Sequence, residues 1–301
     1  MSKAAFGAAE RAVLALFKPG EYFEYHGQRY RVKFSGKPTC SDGEPKTDIY
    51  VLAENAYGDK REFKISFKKE NADFLENKIS AKRASQILGE NWADIIMAST
   101  LSIKQEFYSR PLIYKESYAR TECGSITLGW KFEFVNKPGG HLSGRMPLTR
   151  EQLLDVYSGA NLSPDKRNAS VDGVKIPNSG VANYVLMYDK ISSDTVQKIV
   201  NILIPVENYV EMYPDIFFAC KALNYRTFSQ KYDGNRPLSV YINWRVENGR
   251  LTPHFVFDEP LKVGGDAVAK NLLYCLKTLG INNTDQINIS NVSCSEIVYR
   301  L

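Results

Sequence analysis

Histidine is scarce in this chain. Only His26, His141 and His254 occur among 301 residues. A three-histidine metal site would need every one of them, drawn from distant segments. Cysteine is no better placed: Cys40, Cys123, Cys220, Cys275 and Cys294 are odd in number and never form a CxxC pair. That argues against a disulfide framework and a zinc knuckle, and leads us to expect a reducing, cytoplasmic compartment. No run approaches the roughly 18 apolar residues of a membrane helix. The Ala-rich start, Ser2 to Phe17, is interrupted by Glu10 and Arg11, so no membrane association or secretion is expected. Internal repeats and low-complexity tracts are missing. So is a glycine-rich phosphate cradle, because Val263-Gly-Gly-Asp266 lacks the Lys-Ser or Lys-Thr ending of a P-loop. Nor is there a large excess of one charge. The 39 Lys and Arg against 34 Asp and Glu leave +5, which permits a nucleic-acid partner without demanding one.

What is present is an ordinary globular balance, 44% hydrophobic and 24% charged, in a chain long enough for one large domain or two. The pattern predicts a mixed α/β (α+β) fold. A helix from Ser2 to Phe17 stops at Pro19-Gly20. A hairpin follows, Glu21 to Tyr25 and Gln28 to Phe34 around His26-Gly27, and then a second, Asp48 to Ala53 and Lys60 to Phe67. Asn71 can cap a helix running to Gly89, and another runs from Asn91 to about Tyr108. Ser125 to Val135 reads as a strand, closed by Lys137-Pro-Gly-Gly140, where a soft boundary separates residues 1–136 from 137–301. Beyond it we expect a helix capped by Thr149-Arg-Glu-Gln152 and a long polar loop from Ser158 to Gly180. Helices Ser193 to Ile204 and Pro214 to Phe228, a hairpin around Asn248-Gly249, a helix from Asp266 to Leu279 and a final strand complete the reading.

The second hairpin carries the chemistry. With its turn centred near Gly58, cross-strand partners place Asp48 opposite Lys68, with Ser66 diagonally adjacent. Glu62, Lys64, Ser66, Lys68 and Glu70 project to one side, while Phe63, Ile65 and Phe67 take the other. An acid at the start of one strand with a lysine on its neighbour can hold a divalent ion and a water beside a phosphate.

Lys46-Thr-Asp48 leading one strand, Lys64-Ile-Ser-Phe-Lys68 ending the next and a helix after it resemble the PD-(D/E)xK nuclease superfamily, especially type II restriction endonucleases. The resemblance covers residues 1–89, less than a third of the chain. Two registers compete: Glu62-Phe-Lys64 matches the family's letters, and Ser66-Phe-Lys68 matches the hairpin geometry. Glu62 lies roughly 20 Å down the strand from Lys68 at about 3.3 Å per residue, which favours the second. Ser66 then stands in the acidic position, and Glu76, Glu70 or Glu10 on the first helix supplies the further carboxylate. The resemblance implies a restriction-endonuclease-like mixed sheet and Mg²⁺, with Mn²⁺ as a substitute, bound by Asp48 with Glu62, Glu76 or Glu10. Lys68, or Lys64 in the other register, would steady the phosphate or orient the attacking water.

These expectations make the chain a metal-dependent endonuclease for double-stranded DNA at a short specific sequence, working as a homodimer suited to two-fold sites. DNA contacts are expected from Lys46, Lys69, Asn71, Lys78, Lys82 and Arg83, and from the loops Lys137 to Arg145 and Ser163 to Asn168. One alternative is a non-catalytic nucleic-acid-binding protein with a degenerate nuclease core. The other is an interaction protein whose charged strand simply faces solvent.

Overall fold

The computed structural model describes residues 3–41, 43–69, 74–77, 79–188 and 195–301. The fold is mixed α+β, and the chain forms two compact units. The first joins Met1–Asp73 to Leu148–Pro214, and the second joins Phe74–Pro147 to Asp215–Leu301. Residue 136 thus falls inside the second unit, which the chain enters, leaves and re-enters. No helix among the described residues is long and apolar enough to cross a membrane.

The first unit begins with α1 (Lys3–Leu14), then β1 (Tyr22–Tyr25), β2 (Gln28–Gly36), β3 (Ile49–Asn55) and β4 (Lys60–Lys69). After the excursion through the second unit come α2 (Arg150–Ser158), β5 (Tyr184–Tyr188), α3 (Val196–Asn201), β6 (Ile204–Pro205) and α4 (Val206–Met212). The six strands lie in that order across one sheet. All neighbours are antiparallel except β4 and β5, which run parallel from Tyr184↔Ile65 to Tyr188↔Lys69. Parallel neighbours need a crossover. Here the crossover contains residues 74–147, then α2 and a segment that is not the long loop expected from Ser158 to Gly180: it holds a short helix, Pro164–Arg167, and a hairpin, Ser170–Val171 with Val174–Lys175, paired to Pro38–Thr39.

Alternation builds the core. Ile49, Val51 and Ala53 on β3 and Phe63, Ile65 and Phe67 on β4 are fully buried on one face, clustered with Val13, Phe17, Leu186, Ile199 and Val200. Phe63 anchors this cluster, edge-on to Phe23 and stacked on Tyr184, each at 5.4 Å. Tyr50, Ser66 and Val185 on the opposite face are buried too. A strand paired to a parallel neighbour is usually covered on both sides. Of the charged stripe read from the sequence, Ser66 is buried and Glu62, Lys64 and Lys68 are half-buried, so this part of it is not fully solvent-facing.

The capping box at Thr149 forms as expected: Thr149 Oγ1 accepts from Gln152 N–H, and Gln152 Oε1 accepts from Thr149 N–H. Other expectations fail for identifiable reasons. The helix anticipated from Asn71 is shorter: Phe74–Glu76 is a strand, and the helix spans Ala81–Leu88, with Ser80 as its cap. Residues 70–73 and 78 lie outside the described residues. The helix anticipated from Asn91 to Tyr108 is divided into Trp92–Ser102 and Lys104–Tyr108.

In the second unit, Ile216–Arg226 is a strand and not the expected helix. Its aromatic run pairs along nearly its whole length with Ser125–Val135, and that pairing overrides local helical spacing. Val240–Glu247 and Arg250–Val256 continue this sheet through an Asn248-Gly249 turn in which both residues have positive φ, as a two-residue hairpin loop requires. The helix Gly265–Thr278 is tied to it by Asn271 Nδ2–H donating to Trp244 O at 2.7 Å.

One glycine fixes how the first unit presents its site. The Gly180 carbonyl accepts from Lys46 N–H at 3.1 Å and Thr47 N–H at 3.2 Å, pinning the segment that leads to Asp48. A Cβ on Gly180 would lie 1.8 Å from Lys166 O and 2.9 Å from Pro45 Cβ. Gly180→Ala should therefore destabilise the protein by about 1–3 kcal/mol, through overpacking against backbone. Urea unfolding checks this, and an unchanged midpoint would contradict the close approach.

Candidate active site

The turn between β3 and β4 decides what faces what. Asn55 N–H donates to Asp59 O, Gly58 N–H donates to Asn55 O, and Asn55 Oδ1 accepts from both Tyr57 N–H and Asp59 N–H. The strand pairs run from Glu54↔Lys60 to Ile49↔Ile65, so the hairpin is centred on Tyr57, one residue earlier than expected. Moving the centre by one residue moves every partner by two. Because side chains alternate with period two, the face is preserved and only the level changes. Carried one residue further, this register puts Asp48 level with Ser66 instead of Lys68.

Two contacts hold Asp48 there. Its N–H donates to Ile65 O at 2.9 Å, and its Oδ2 accepts from Phe67 N–H at 2.7 Å. Desolvation pushes its carboxyl up to about 6, opposed by the Lys68 ammonium and the Phe67 N–H. Glu10 pushes the same way as burial, and Lys37 opposes it. Asp48, Lys68, Glu10 and Lys37 thus share one electrostatic neighbourhood. Ser66 Oγ, on a residue only 1% exposed, has no hydrogen-bond partner among the described residues.

Glu10 lies one turn before Val13 on the buried side of α1 and is only 5% exposed. A carboxylate that deep needs a partner. It has one in Lys37 Nζ, 2.7 Å from Glu10 Oε1. Burial alone would lower the Lys37 pKa, but its bond to Glu10 and the fields of Glu10, Asp48 and Glu44 raise it.

Sequence reasoning missed Lys37. The pair Gly36↔Tyr50 carries it to the level of Ile49, beside Asp48, but only after a register shift between Val32 and Phe34. An irregularity of that kind inserts a residue and reverses the side-chain alternation, which no hydrophobic pattern announces.

The remaining predicted residues are placed elsewhere or differently engaged. Glu62 Oε1 accepts from Tyr50 O–H at 2.5 Å, and Glu62 Oε2 lies 3.7 Å from Lys64 Nζ, so the Glu62-Phe-Lys64 letters form their own small cluster. Glu76 belongs to the second unit, where its Oε1 accepts from Arg83 Nε and Nη2 at 3.1 and 2.9 Å. Arg83, expected on a polar helix face, is only 8% exposed, because that ion pair holds it inward. Lys82 on the same helix is exposed. The stem of Lys46 packs over Gly159, where a Cβ would come within 2.6 Å of Lys46 Cγ. Lys69 ends β4, but its side chain, with all of Glu70, Asn71 and Lys78, lies outside the described residues.

Among the described residues, no three His, Cys, Asp or Glu side chains converge as a ready-made metal cage. The donors in this neighbourhood are two carboxylates, Asp48 and Glu10, and the unpartnered hydroxyl of Ser66. Comparison with protein-family models, curated proteins and solved structures found no match to this chain.

The raised Asp48 pKa has a measurable consequence. Between about pH 4 and pH 6 the folded protein holds a proton that the unfolded chain releases, so this group's contribution to stability is lost as pH rises through that window. In EDTA, wild-type stability should fall relative to Asp48→Asn from pH 4 to pH 7, by roughly 3 kcal/mol at most. Superimposable pH profiles for the two proteins would contradict the burial of this carboxyl.

Proposed function

We propose that this protein is a Mg²⁺-dependent endonuclease that hydrolyses phosphodiester bonds of double-stranded DNA, with a restriction-endonuclease-like core in its first unit. The observation that carries the reading is Asp48 held against a strand bearing Ser66 and Lys68, with Glu10 in the same field. The order of elements supports it. Helix α1, strand β3 led by Asp48, β4 bearing Lys68, helix α2 and parallel strand β5 follow the PD-(D/E)xK order, provided the helix after β4 is α2, reached beyond an insertion.

The donor set suits a hard divalent ion. Mg²⁺ is commonly held by one or two carboxylates while retaining several waters, and the Asp48–Glu10 pair with the orphaned Ser66 hydroxyl offers that chemistry. Bound there, Mg²⁺ or Mn²⁺ would polarise the phosphate and lower the pKa of a water. The chain's own residues do the rest. Asp48 is fixed by the Phe67 N–H, so its carboxylate needs no reorganisation. The Lys68 ammonium would stabilise charge developing on the phosphate or orient the water. Lys64, engaged by Glu62, is a bystander in this reading.

Charge partition favours a polyanionic partner. The first unit carries 19 Lys and Arg against 19 Asp and Glu; the second carries 20 against 15, so the whole +5 excess falls there. That excess suits phosphate contact, with Lys82 and the loop around Arg145 as candidate contributors in the second unit and Lys46 as a separate one in the first. A homodimer fits cleavage of both strands at a two-fold site.

A second reading is a DNA-binding protein that does not cleave. Ser66 standing where the family pattern carries an acid favours it. Purified protein incubated with unmethylated phage DNA in Mg²⁺ or in EDTA separates the readings. Discrete Mg²⁺-dependent bands are expected, and salt-sensitive binding without cleavage would favour the second. Asp48→Ala and Lys68→Ala should each lower the cleavage rate at least about 100-fold while DNA binding in EDTA persists. Lys64→Ala should stay within a few-fold of wild type; a severe loss there with a mild one in Lys68→Ala would make Glu62-Phe-Lys64 the working register.

A further inference from the structure

We propose that Lys37 is a resident counter-cation of this site, one that a divalent metal ion displaces from Glu10 when it binds. The inference rests on the metal-site reading above and adds a residue and a movement to it.

Four charges share the neighbourhood: the carboxylates of Asp48 and Glu10 and the ammonium groups of Lys37 and Lys68. They balance. Adding a doubly charged ion to a balanced, poorly solvated cluster leaves an excess of +2, whereas expelling one lysine halves it. Exposure decides which lysine leaves. Lys37 is exposed, with 43% of its side chain reaching solvent, whereas Lys68 is half-buried and the Glu10 side chain is only 6% exposed, so the Lys37 ammonium has the shorter path to water. Lys37 also sits just beyond the end of β2, next to Pro38, whereas Lys68 lies within β4 at a level where β4 is paired with β5, at Met187↔Lys68.

The contact thereby explains how a carboxylate survives on the buried side of α1 without metal. Lys37 relieves the repulsion between Glu10 and Asp48, keeping both donors in place before an ion arrives. On binding, the freed ammonium is available to a phosphate oxygen at the mouth of the site. Compact, strongly hydrated and carried on a flexible stem, a lysine suits such an exchange better than an arginine, whose fork would grip the carboxylate.

The test is titration of the full-length protein with Mn²⁺ alone, without DNA, by calorimetry at neutral pH. Lys37→Met keeps the stem and removes the charge. It should bind Mn²⁺ about tenfold or more tighter than wild type, and Asp48→Ala should lose binding. Equal or weaker Mn²⁺ binding by a folded Lys37→Met, with binding still lost in Asp48→Ala, would overturn the proposal and leave the metal site standing. No Mn²⁺ binding by wild type would overturn the metal reading and this inference together. Should Lys37→Met fail to fold, Lys37→Arg decides: it should bind Mn²⁺ more weakly than wild type, and equal or tighter binding overturns the proposal.

Discussion

The hydrogen bond from Phe67 N–H to Asp48 Oδ2, 2.7 Å long, is the constraint on which the site depends. It holds a carboxylate at the entrance to a sheet whose neighbouring strands are otherwise packed with phenylalanine, tyrosine and isoleucine. A carboxylate in such surroundings is strongly disfavoured unless hydrogen-bonded and paired. Asp48 has one backbone donor and the fields of two ammonium groups, and its pKa is still raised. A group kept at that disadvantage by the fold around it is a common mark of a functional position.

The sheet supplies the framework for that bond. β4 pairs in parallel with β5 from Ile65 to Lys69, and along it Ser66 is buried on the face opposite Phe63, Ile65 and Phe67 while Lys64 is half-buried. The same pairing requires a long connection, and the chain uses it to carry residues 74–147 of the second unit. The units differ in electrostatic character: the first is formally neutral and the second holds all of the net positive charge. A neutral unit around a compensated acid–lysine cluster and a basic second unit are consistent with the proposed phosphodiester chemistry.

How much of this was legible in the sequence varied with the physics involved. Strand alternation correctly put Ser66, Lys64 and Lys68 on one face, because a two-residue error in register leaves the face unchanged. The level of Asp48 was misjudged because the five-residue Asn55–Asp59 turn closes around Tyr57, held by the Asn55 side chain, which composition alone does not reveal. Ile216–Arg226 was misread because its pairing partner, Ser125–Val135, is some ninety residues away. Glu10 was visible as an acid interrupting an apolar helix. Lys37 was not, since its place depends on an irregularity in β2. Arg83 was read as a surface cation because the strand at Phe74–Glu76 that supplies its partner was taken for helix.

The central claim is that Asp48 and Glu10, next to Lys68, form a divalent-cation site. Anomalous diffraction from crystals soaked in Mn²⁺ tests it most directly. The account predicts a peak at roughly 2.0–2.2 Å from an Asp48 carboxylate oxygen, with the Lys37 ammonium withdrawn from Glu10. Manganese bound only at other positions, or density with Lys37 still on Glu10 and no peak beside Asp48, would contradict it.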